Sequence, residues 1–419
     1  MNDRSLRVLE QYELEIISTR RGRGSWIFET SQGLRILSDY SGSENRALFQ
    51  NCVMDRVREG GYANVDRILP NKEGLLVSKD WEEHRYVVKE WYTGHECDTS
   101  NEVEILAAVQ NLARLHRLMR LREDSFFPED SIAGSSDDRK EKGDKAETAA
   151  ESGVVTANGE DASGTIAETI SDGVRANEVS FGGISDRKTG VGVTDVSEAD
   201  IGSMFTREVV SHSVPSVDTF RRNYTAQPPL MELHAWNAQL RKIRSFVRAR
   251  PRKNVFERSF LDCFERYFTQ ALEAERQLTD ISERLETLRT AQSGMVCHGD
   301  YSHHHILMRG YEVATTNFDN CRFDFQINDL YRFMRKILEK HDWNTRLGMR
   351  MVETYDRTRT LSGVERRLLF VRMLYPEKFR KLAASYYSSN KAWISRQYME
   401  KLEKINRQET ARQAFMKRL

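Results

Sequence analysis

A short loop in the second half of this 419-residue chain limits its fold more than any other stretch. The loop runs through His298-Gly299-Asp300, passes three histidines at 303–305 and returns through the apolar pair Ile306-Leu307. Asn317-Phe318-Asp319 follows ten residues after that return. Glycine permits sharp turns, and short acids are common beside them. The pattern predicts a hairpin that presents Asp300 to a functional site.

The spacing of polar residues in this loop resembles a phosphotransfer site. Protein kinases use H-R-D-x-x-x-x-N followed by D-F-G, in which the first Asp is the base and the Asn and second Asp bind metal. Small-molecule kinases of the aminoglycoside phosphotransferase and choline kinase type have the motif H-G-D-x-x-x-x-N. This chain is similar to them from His298 onward. The resemblance implies that Asp300 is the base and that His298, beside it, is a second catalytic candidate. It also implies that His305 and Asn317 occupy the positions of the two metal ligands. Asp319 is a further candidate for the metal, although a regular strand would point it to the opposite side.

A longer run of residues narrows the resemblance. The segment from His298 through Asn317-Phe318-Asp319 to Asn328–Lys336 resembles the CotS family of bacterial spore coat proteins, which have a kinase-like fold. The likeness covers 1–120 and 217–419, and the last hundred residues carry most of it. It implies an α+β fold with a small β-rich N-terminal lobe and a larger helical C-terminal lobe.

The same resemblance implies a place of action. Proteins of this kind are made in the mother-cell cytoplasm and deposited in the spore coat, so other spore coat proteins are the expected partners.

The resemblance also implies the domain bounds. The first lobe, the hinge and the first helix of the second lobe fall in 1–120, and the rest of the second lobe falls in 217–419.

The N-terminal part carries the candidate nucleotide-binding residues. Alternating apolar residues predict three strands between 12 and 37, with a turn at Gly22–Gly24 where a kinase covers the phosphates. Ser38 stands where the strand-three lysine belongs, and Arg35, on the other face, is a poor substitute for it. An ordinary hairpin turn explains the two glycines equally well.

Further candidates lie on the next helix and strand. Glu44 is the candidate for the helix glutamate that pairs with that lysine, although a first-turn glutamate is also favoured by the helix dipole. The strand that ends at Glu90, Trp91 and Tyr92 leads into the expected hinge, where backbone groups would meet an adenine. ATP with Mg²⁺ or Mn²⁺ is therefore the cofactor that the resemblance implies.

The predicted metal site is chemically weakened. Mg²⁺ prefers carboxylate oxygens, whereas Asn317 is neutral and His305 offers a nitrogen better suited to Mn²⁺ or Zn²⁺. Ser38 cannot neutralise phosphate charge. These changes predict a catalytically weak or inactive structural component, and the intact His298-Gly299-Asp300 keeps a small-molecule phosphotransferase as the alternative. Asp300 itself is either a base or a structural anchor of the loop.

Composition separates the middle of the chain from its end. Residues 122–215 are rich in small and acidic residues, so we predict a disordered linker. Between 129 and 204 there are 17 acidic and 7 basic residues, whereas 332–419 holds 22 basic and 9 acidic residues. Nucleic acid is not expected as a partner, because no recognition motif accompanies the basic end. The sequence contains no run of 18 apolar residues, so no membrane span is predicted.

Overall fold

The computed structural model describes residues 6–22, 24–121, 215–388 and 395–419. The described parts of 1–129 and 210–419 belong to one compact unit. The predicted linker at 122–215 lies outside the described residues, apart from Pro215 at its end. Among the described helices, none combines the length and the apolar character needed to cross a membrane.

An antiparallel sheet forms the N-terminal lobe, with β3 and β6 at its centre. The strand order is β1-β2-β3-β6-β4, and β5 also pairs with β6. The strands are β1 (Ile16–Gly22), β2 (Ser25–Thr30), β3 (Gly33–Asp39), β4 (Ile68–Leu69), β5 (Ser78–Lys79) and β6 (Arg85–Glu90). A 3₁₀ turn at Arg7–Gln11 packs Val8 and Leu9 against one face of this sheet.

The other face of the sheet is covered by helix α1 (Glu44–Glu59). Ser43 begins the helix by accepting a hydrogen bond from the Arg46 amide, as an N-cap residue does. Strand side chains alternate between the two faces. Tyr86 and Val88 therefore join the cluster under the 3₁₀ turn, while Val87 joins the main core with α1.

Two small sheets connect the lobes and carry the loops of interest. One has the order β10-β9-β7, and in the other β11 pairs with β8. These strands are β7 (His95–Glu96), β8 (Val296–Cys297), β9 (Ile306–Arg309), β10 (Glu312–Thr315) and β11 (Arg322–Phe323). Cys297 lies opposite Arg322 in the second pair, so the loop after β8 and the loop before β11 emerge side by side.

Helices build the C-terminal lobe around one hydrophobic core. They are α2 (Glu102–Leu118), α3 (Val217–Tyr224), α4 (Pro229–Ala249), α5 (Val255–Thr279), α6 (Ser282–Ala291), α7 (Ile327–Leu338), α8 (Thr345–Thr358), α9 (Gly363–Leu374), α10 (Glu377–Ser388) and α11 (Ser395–Met416). Helix α7 packs one apolar face into this core, since five of its residues are fully buried: Leu330, Phe333, Met334, Ile337 and Leu338. Helix α2 packs along α8 and so places its buried side beneath the loop that follows β8.

Candidate functional site

Gly299 lets the loop after β8 lie against the loop before β11. Its φ of +83° is in the left-handed region, and a Cβ added there would lie 2.0 Å from the Asn320 carbonyl oxygen. Only glycine fits such a contact without moving the backbone. The turn predicted at this position is therefore present, and it brings 298–305 next to 317–321.

Asp329, in the first turn of α7, holds this loop from below. Its buried carboxylate accepts hydrogen bonds from the His298 amide at 2.6 Å and the Gly299 amide at 3.0 Å. Arg332, one turn further along α7, donates to the Gly299 carbonyl oxygen at 3.1 Å. Both ends of the turn are thus fixed to one helix.

His116 on α2 completes the support of Asp329. Its Nε2 lies 3.3 Å from the Asp329 carboxylate, and its Nδ1 lies 2.6 Å from the Tyr355 hydroxyl. Burial lowers the pKa of His116 in spite of the nearby carboxylate, so the imidazole is neutral at pH 7. A neutral ring donates from Nε2 to Asp329 and accepts at Nδ1 from Tyr355. His116 therefore makes a buried polar contact that supports the loop.

His298 also supports the backbone rather than facing the cleft. The ring is fully buried, with Nε2 3.0 Å from the Thr316 carbonyl oxygen. Its Nδ1 accepts from the Asp300 amide at 3.2 Å. Burial lowers the pKa of His298 to about 4, so it is neutral at pH 7. The residue predicted beside the base therefore orients the base through its backbone.

Asp300 presents a partly exposed carboxylate at the tip of the turn. Its side chain is 36% exposed, with one oxygen 3.3 Å from the Lys336 ammonium and the other 3.6 Å from His305 Nδ1. This carboxylate is therefore accessible to solvent and lies next to a cation. This geometry suits a base, and it equally suits a surface ion pair.

The two positions of the metal ligands are hydrogen-bonded to each other. The Asn317 side-chain amide lies 3.1 Å from His305 Nε2, and His305 Nδ1 lies 2.9 Å from the Asp300 carbonyl oxygen. These partners define a neutral tautomer, in which Nδ1 donates to the carbonyl and Nε2 accepts from the amide. The only lone pair of the imidazole is therefore occupied by Asn317.

Asn317 adopts a backbone conformation that favours asparagine. Its φ of 67° and ψ of 59° are left-handed, which Asn tolerates better than most residues. The same residue donates its backbone amide to the Asp66 carboxylate at 2.7 Å. The loop before β11 is thereby tied to the segment between α1 and β4.

A buried lysine, which the sequence analysis missed, lies at the centre of the cleft. Lys89 on β6 is 5% exposed, and its ammonium lies 2.6 Å from Asp319 and 3.5 Å from Asp66. Asp319 is in a 3₁₀ turn, Phe318–Asn320, so its side chain faces the sheet instead of following strand alternation. The ion pair joins the N-terminal sheet to the loop before β11.

Asp66 and Lys89 are both charged at neutral pH. Burial raises the pKa of Asp66 to about 6, against the opposing effect of Lys89. Burial alone would lower the pKa of Lys89, but Asp66 and Asp319 outweigh it and raise that pKa. The Lys89 ammonium therefore neutralises one of the two carboxylates that would be available to a metal ion.

Arg46 makes a second link between the lobes. From the first turn of α1 its guanidinium donates to the carbonyl oxygens of Asp319 and Cys321. The same group stacks on Tyr224, with its carbon 4.8 Å from the ring centroid. Both Arg46 and Lys89 therefore hold the backbone or side chain of Asp319.

The predicted phosphate-binding residues lie in local contacts of the sheet. Gly22 ends β1 and pairs with Ser25 of β2, and Gly24, which lies between them, has a φ of +67°. Arg35 donates to the Leu34 and Gln32 carbonyl oxygens. Its side chain is therefore occupied at the adjacent turn.

Ser38 lies on the same face of the sheet as Lys89. Ile36 is the cross-strand partner of Lys89, and Ser38 is two residues further along β3. Cross-strand partners share a face, as do residues two apart on a strand. The cation expected from β3 is thus supplied by the neighbouring strand.

Glu44 is occupied away from the ion pair. Its carboxylate accepts from the amides of Leu76 at 2.6 Å and Val77 at 2.9 Å. The interpretation of Glu44 as the lysine-pairing glutamate needs this correction, because Lys89 pairs with Asp66 and Asp319 instead. The long-range contact fixes the segment before β5.

The hinge candidates also make protein contacts. Glu90 forms a two-oxygen pair with Arg58, and its amide donates to the Arg67 carbonyl oxygen. The Trp91 amide donates to Leu34, while the Tyr92 hydroxyl donates to the Val65 carbonyl oxygen at 2.8 Å. The amides of Glu90 and Trp91 are therefore already paired, and an adenine would have to use other groups of this segment.

The residues present do not fit a divalent-metal site of the kinase type. Within the described ranges, no group of three His, Cys, Asp or Glu side chains is placed to hold a metal ion. His305 uses its lone pair on Asn317, and Asp319 is paired with Lys89. Mg²⁺ requires oxygen ligands in near-octahedral geometry, which this arrangement does not offer.

The buried His298 ring predicts acid sensitivity of the fold. Its pKa of about 4 in the folded state lies below its ordinary value of 6.5. The unfolded state therefore binds the proton first, so the contribution of this group is present above pH 6.5 and is lost as the pH falls towards 4. We expect a loss of about 3 kcal/mol from this group in urea unfolding. His298→Asn should flatten the pH dependence in that window, and an unchanged slope would contradict a buried neutral ring.

Comparisons with known proteins show which sequences this chain is similar to. Residues 218–419 match the family model "Spore coat putative kinase YutH". Spore coat protein S of Bacillus subtilis is 22% identical over 190 residues, which cover 45% of this chain and 54% of that protein. Endospore coat-associated protein YutH of the same organism is 24% identical over 162 residues, which cover 38% of this chain and 46% of that protein. The chain thus spans about half the length of these relatives.

Solved structures confirm the fold. An aminoglycoside phosphotransferase from Alicyclobacillus acidocaldarius superposes with a TM-score of 0.66 at 14% identity, over 98% of this chain and 93% of that one. Spectinomycin phosphotransferase APH(9)-Ia, in complex with ADP and spectinomycin, gives a TM-score of 0.53 at 8% identity, over 97% and 95% of the two chains. The predicted kinase-like α+β fold is therefore present. The chain is thus similar in sequence to Bacillus spore coat proteins and similar in fold to aminoglycoside phosphotransferases, with its family match in residues 218–419.

Proposed function

We propose that this protein is a structural or assembly component of the spore coat that uses a kinase-like fold for its surfaces. One observation carries the proposal: His305 and Asn317, at the positions of the metal ligands, are hydrogen-bonded to each other. Similarity to Bacillus spore coat proteins supports the coat as its location. Synthesis in the mother-cell cytoplasm belongs to the same proposal.

The loss of catalysis follows from the charges in the cleft. Phosphoryl transfer depends on cations that neutralise the transferred group, because the protein contributes little covalent chemistry. Removing one such electrostatic group costs roughly a hundred- to a thousand-fold in rate. Three such contributions are lost here. Ser38 stands at the position of the expected lysine, and His305 and Asn317 stand at the positions of the ligands that would hold the metal cation. Lys89 cannot compensate in full, since its ammonium is already paired with Asp319.

A small-molecule phosphotransferase is the second candidate function. The observation in its favour is Asp300, whose carboxylate remains partly exposed at the tip of an intact His-Gly-Asp turn. That enzyme would need ATP and a cation bound differently from the kinase arrangement. The two candidates differ in whether Asp300 is required.

Partner binding is proposed for two stretches of opposite charge. Residues 332–419 hold 22 basic and 9 acidic residues, and 129–204 hold 17 acidic and 7 basic residues. A stretch with a large net charge of one sign steers association with partners of opposite charge. Other coat proteins are the partners that this proposal names.

Comparing spores of a deletion strain with spores of an Asp300→Ala strain distinguishes the two candidate functions. A strain lacking the gene should show altered coat composition and reduced resistance, whereas a strain carrying Asp300→Ala should resemble the parent. Asp218→Ala is the matched control, because Asp218 is an exposed acid in a surface pair with Arg221. Failure of the Asp300→Ala strain as severe as the deletion, with the variant folded and present in the coat, would favour the phosphotransferase.

A further inference from the structure

We propose that Lys89 is a built-in cation of the cleft, which takes the place of a divalent ion between Asp66 and Asp319. Its ammonium is buried between the two carboxylates, 2.6 Å from Asp319 and 3.5 Å from Asp66. Replacing Lys89 by a neutral residue should then create a divalent-cation site. This inference rests on the contacts of the cleft and is independent of the proposed coat role.

The two carboxylates have oxygen atoms that Lys89 does not bind. Asp66 Oδ1 is buried and has no hydrogen-bond partner among the described residues, while Oδ2 accepts from the Asn317 amide. An unpaired buried oxygen of a charged group is costly. Asp319 is 35% exposed, so one side of the pair is open to solvent. The two carboxylates therefore form an incomplete oxygen site with an ammonium in its centre.

The charge balance favours a divalent ion once the ammonium is removed. Asp66 and Asp319 carry two negative charges, and Lys89 supplies one positive charge. Protein Mg²⁺ and Mn²⁺ sites are often built from one or two carboxylates with water in the remaining positions. Two carboxylates meeting at an open edge of the cleft meet that requirement without His305 or Asn317.

Lys89 places a cation on the face of the sheet where the lysine expected on β3 would lie. Its neighbour across the ladder is Ile36, so the ammonium leaves β6 on the face where the β3 lysine would lie. From there the side chain reaches Asp319 on the far lobe and Asp66 on the near one. A single residue thus supplies positive charge and links the lobes, as a bound metal with its ligands would.

The experiment compares Lys89→Met with the parent protein by thermal melting and by the electron paramagnetic resonance signal of free Mn²⁺. The parent should leave Mn²⁺ free, and its Tm should be the same in EDTA and in Mn²⁺. Lys89→Met should melt several degrees lower in EDTA, because the buried Asp66 and its neighbour Asp319 lose their counter-ion. Mn²⁺ should bind at about one ion per chain and raise its Tm by several degrees, since the ion binds only the folded state.

Two variants make the result specific. Lys89→Met combined with Asp319→Asn should lose the Mn²⁺ response. Lys79→Met, which removes an exposed lysine paired with Glu83, should behave as the parent. If Lys89→Met does not fold in EDTA, refolding in Mn²⁺ replaces the melting experiment, and recovery of folded protein only with Mn²⁺ is expected. No Mn²⁺ binding by Lys89→Met, no recovery, or equal binding by the parent would overturn the proposal.

Discussion

Asp329→Ala is expected to destabilise the protein by about 3–5 kcal/mol, the range for breaking a buried charged contact. The carboxylate is fully buried and accepts from two consecutive loop amides and from His116. Hydrogen bonding and nearby positive charge outweigh burial and lower the pKa of Asp329 to about 2, so it is ionised in the folded protein. Alanine would leave those buried donors unpaired. Urea unfolding monitored by circular dichroism measures the loss.

Two comparisons test the cause of this loss. Asp218→Ala removes an exposed acid and should cost less than about 1 kcal/mol, as surface ion pairs do. Asp329→Asn keeps one acceptor oxygen but points an amide group at backbone donors, so its loss should fall between the other two. A cost below 1 kcal/mol for Asp329→Ala would contradict the contacts described for this loop.

Gly299→Ala is expected to be nearly as harmful, at about 3–5 kcal/mol. Two effects add: a left-handed φ that alanine disfavours, and a Cβ placed 2.0 Å from the Asn320 carbonyl oxygen. Backbone atoms on both sides must move, which would separate the Asp300 turn from the segment at 317–321. The free energy of unfolding in urea reports the cost.

Gly310→Ala is the matched control for this substitution. Gly310 also has a positive φ, of +59°, but nothing lies within 4 Å of an added Cβ. Its substitution should cost only the backbone term, about 1–2 kcal/mol. Equal losses for the two variants would show that the contact with Asn320 has no effect.

The fold was predictable from local patterns and from the loop motif. The loop containing Asp300 meets the segment containing Asn317, as its resemblance to kinases implies. The first strand begins later than predicted, at Ile16, because 7–11 form a 3₁₀ turn that packs on the sheet. Apolar periodicity indicates burial but does not distinguish such a turn from a strand end.

The chemistry of the cleft was less predictable, because it depends on contacts between distant residues. Lys89 is the next-to-last residue of β6, and nothing local shows that its face meets Asp319, which lies 230 positions away. Glu44 resembled a lysine partner by position alone, whereas its oxygens bind amides at 76–77. The sequence did contain one indication that Lys89 is buried. Lys89 lies two residues after Val87 on β6, so the two side chains share a face, and an apolar residue such as Val87 indicates that this face is covered.

The hydrogen bond between His305 and Asn317 illustrates the same limit. Sequence comparison identified both residues as substitutions for metal ligands, which left altered metal use open. Only the geometry shows the two side chains bonded to each other, with Nε2 accepting from the amide. The sequence therefore shows that the metal ligands are changed, and the structure shows that a hydrogen bond between the two new side chains takes their place.

Melting of the purified protein with ATP tests the central claim most directly. Ligand binding to the folded state raises Tm, so a cleft that holds metal with nucleotide would be detected. We expect the Tm in ATP with Mg²⁺ or Mn²⁺ to equal the Tm in ATP with EDTA, because Lys89 and the His305–Asn317 hydrogen bond occupy the metal positions. A rise of several degrees that requires Mg²⁺ or Mn²⁺ together with ATP would contradict the account.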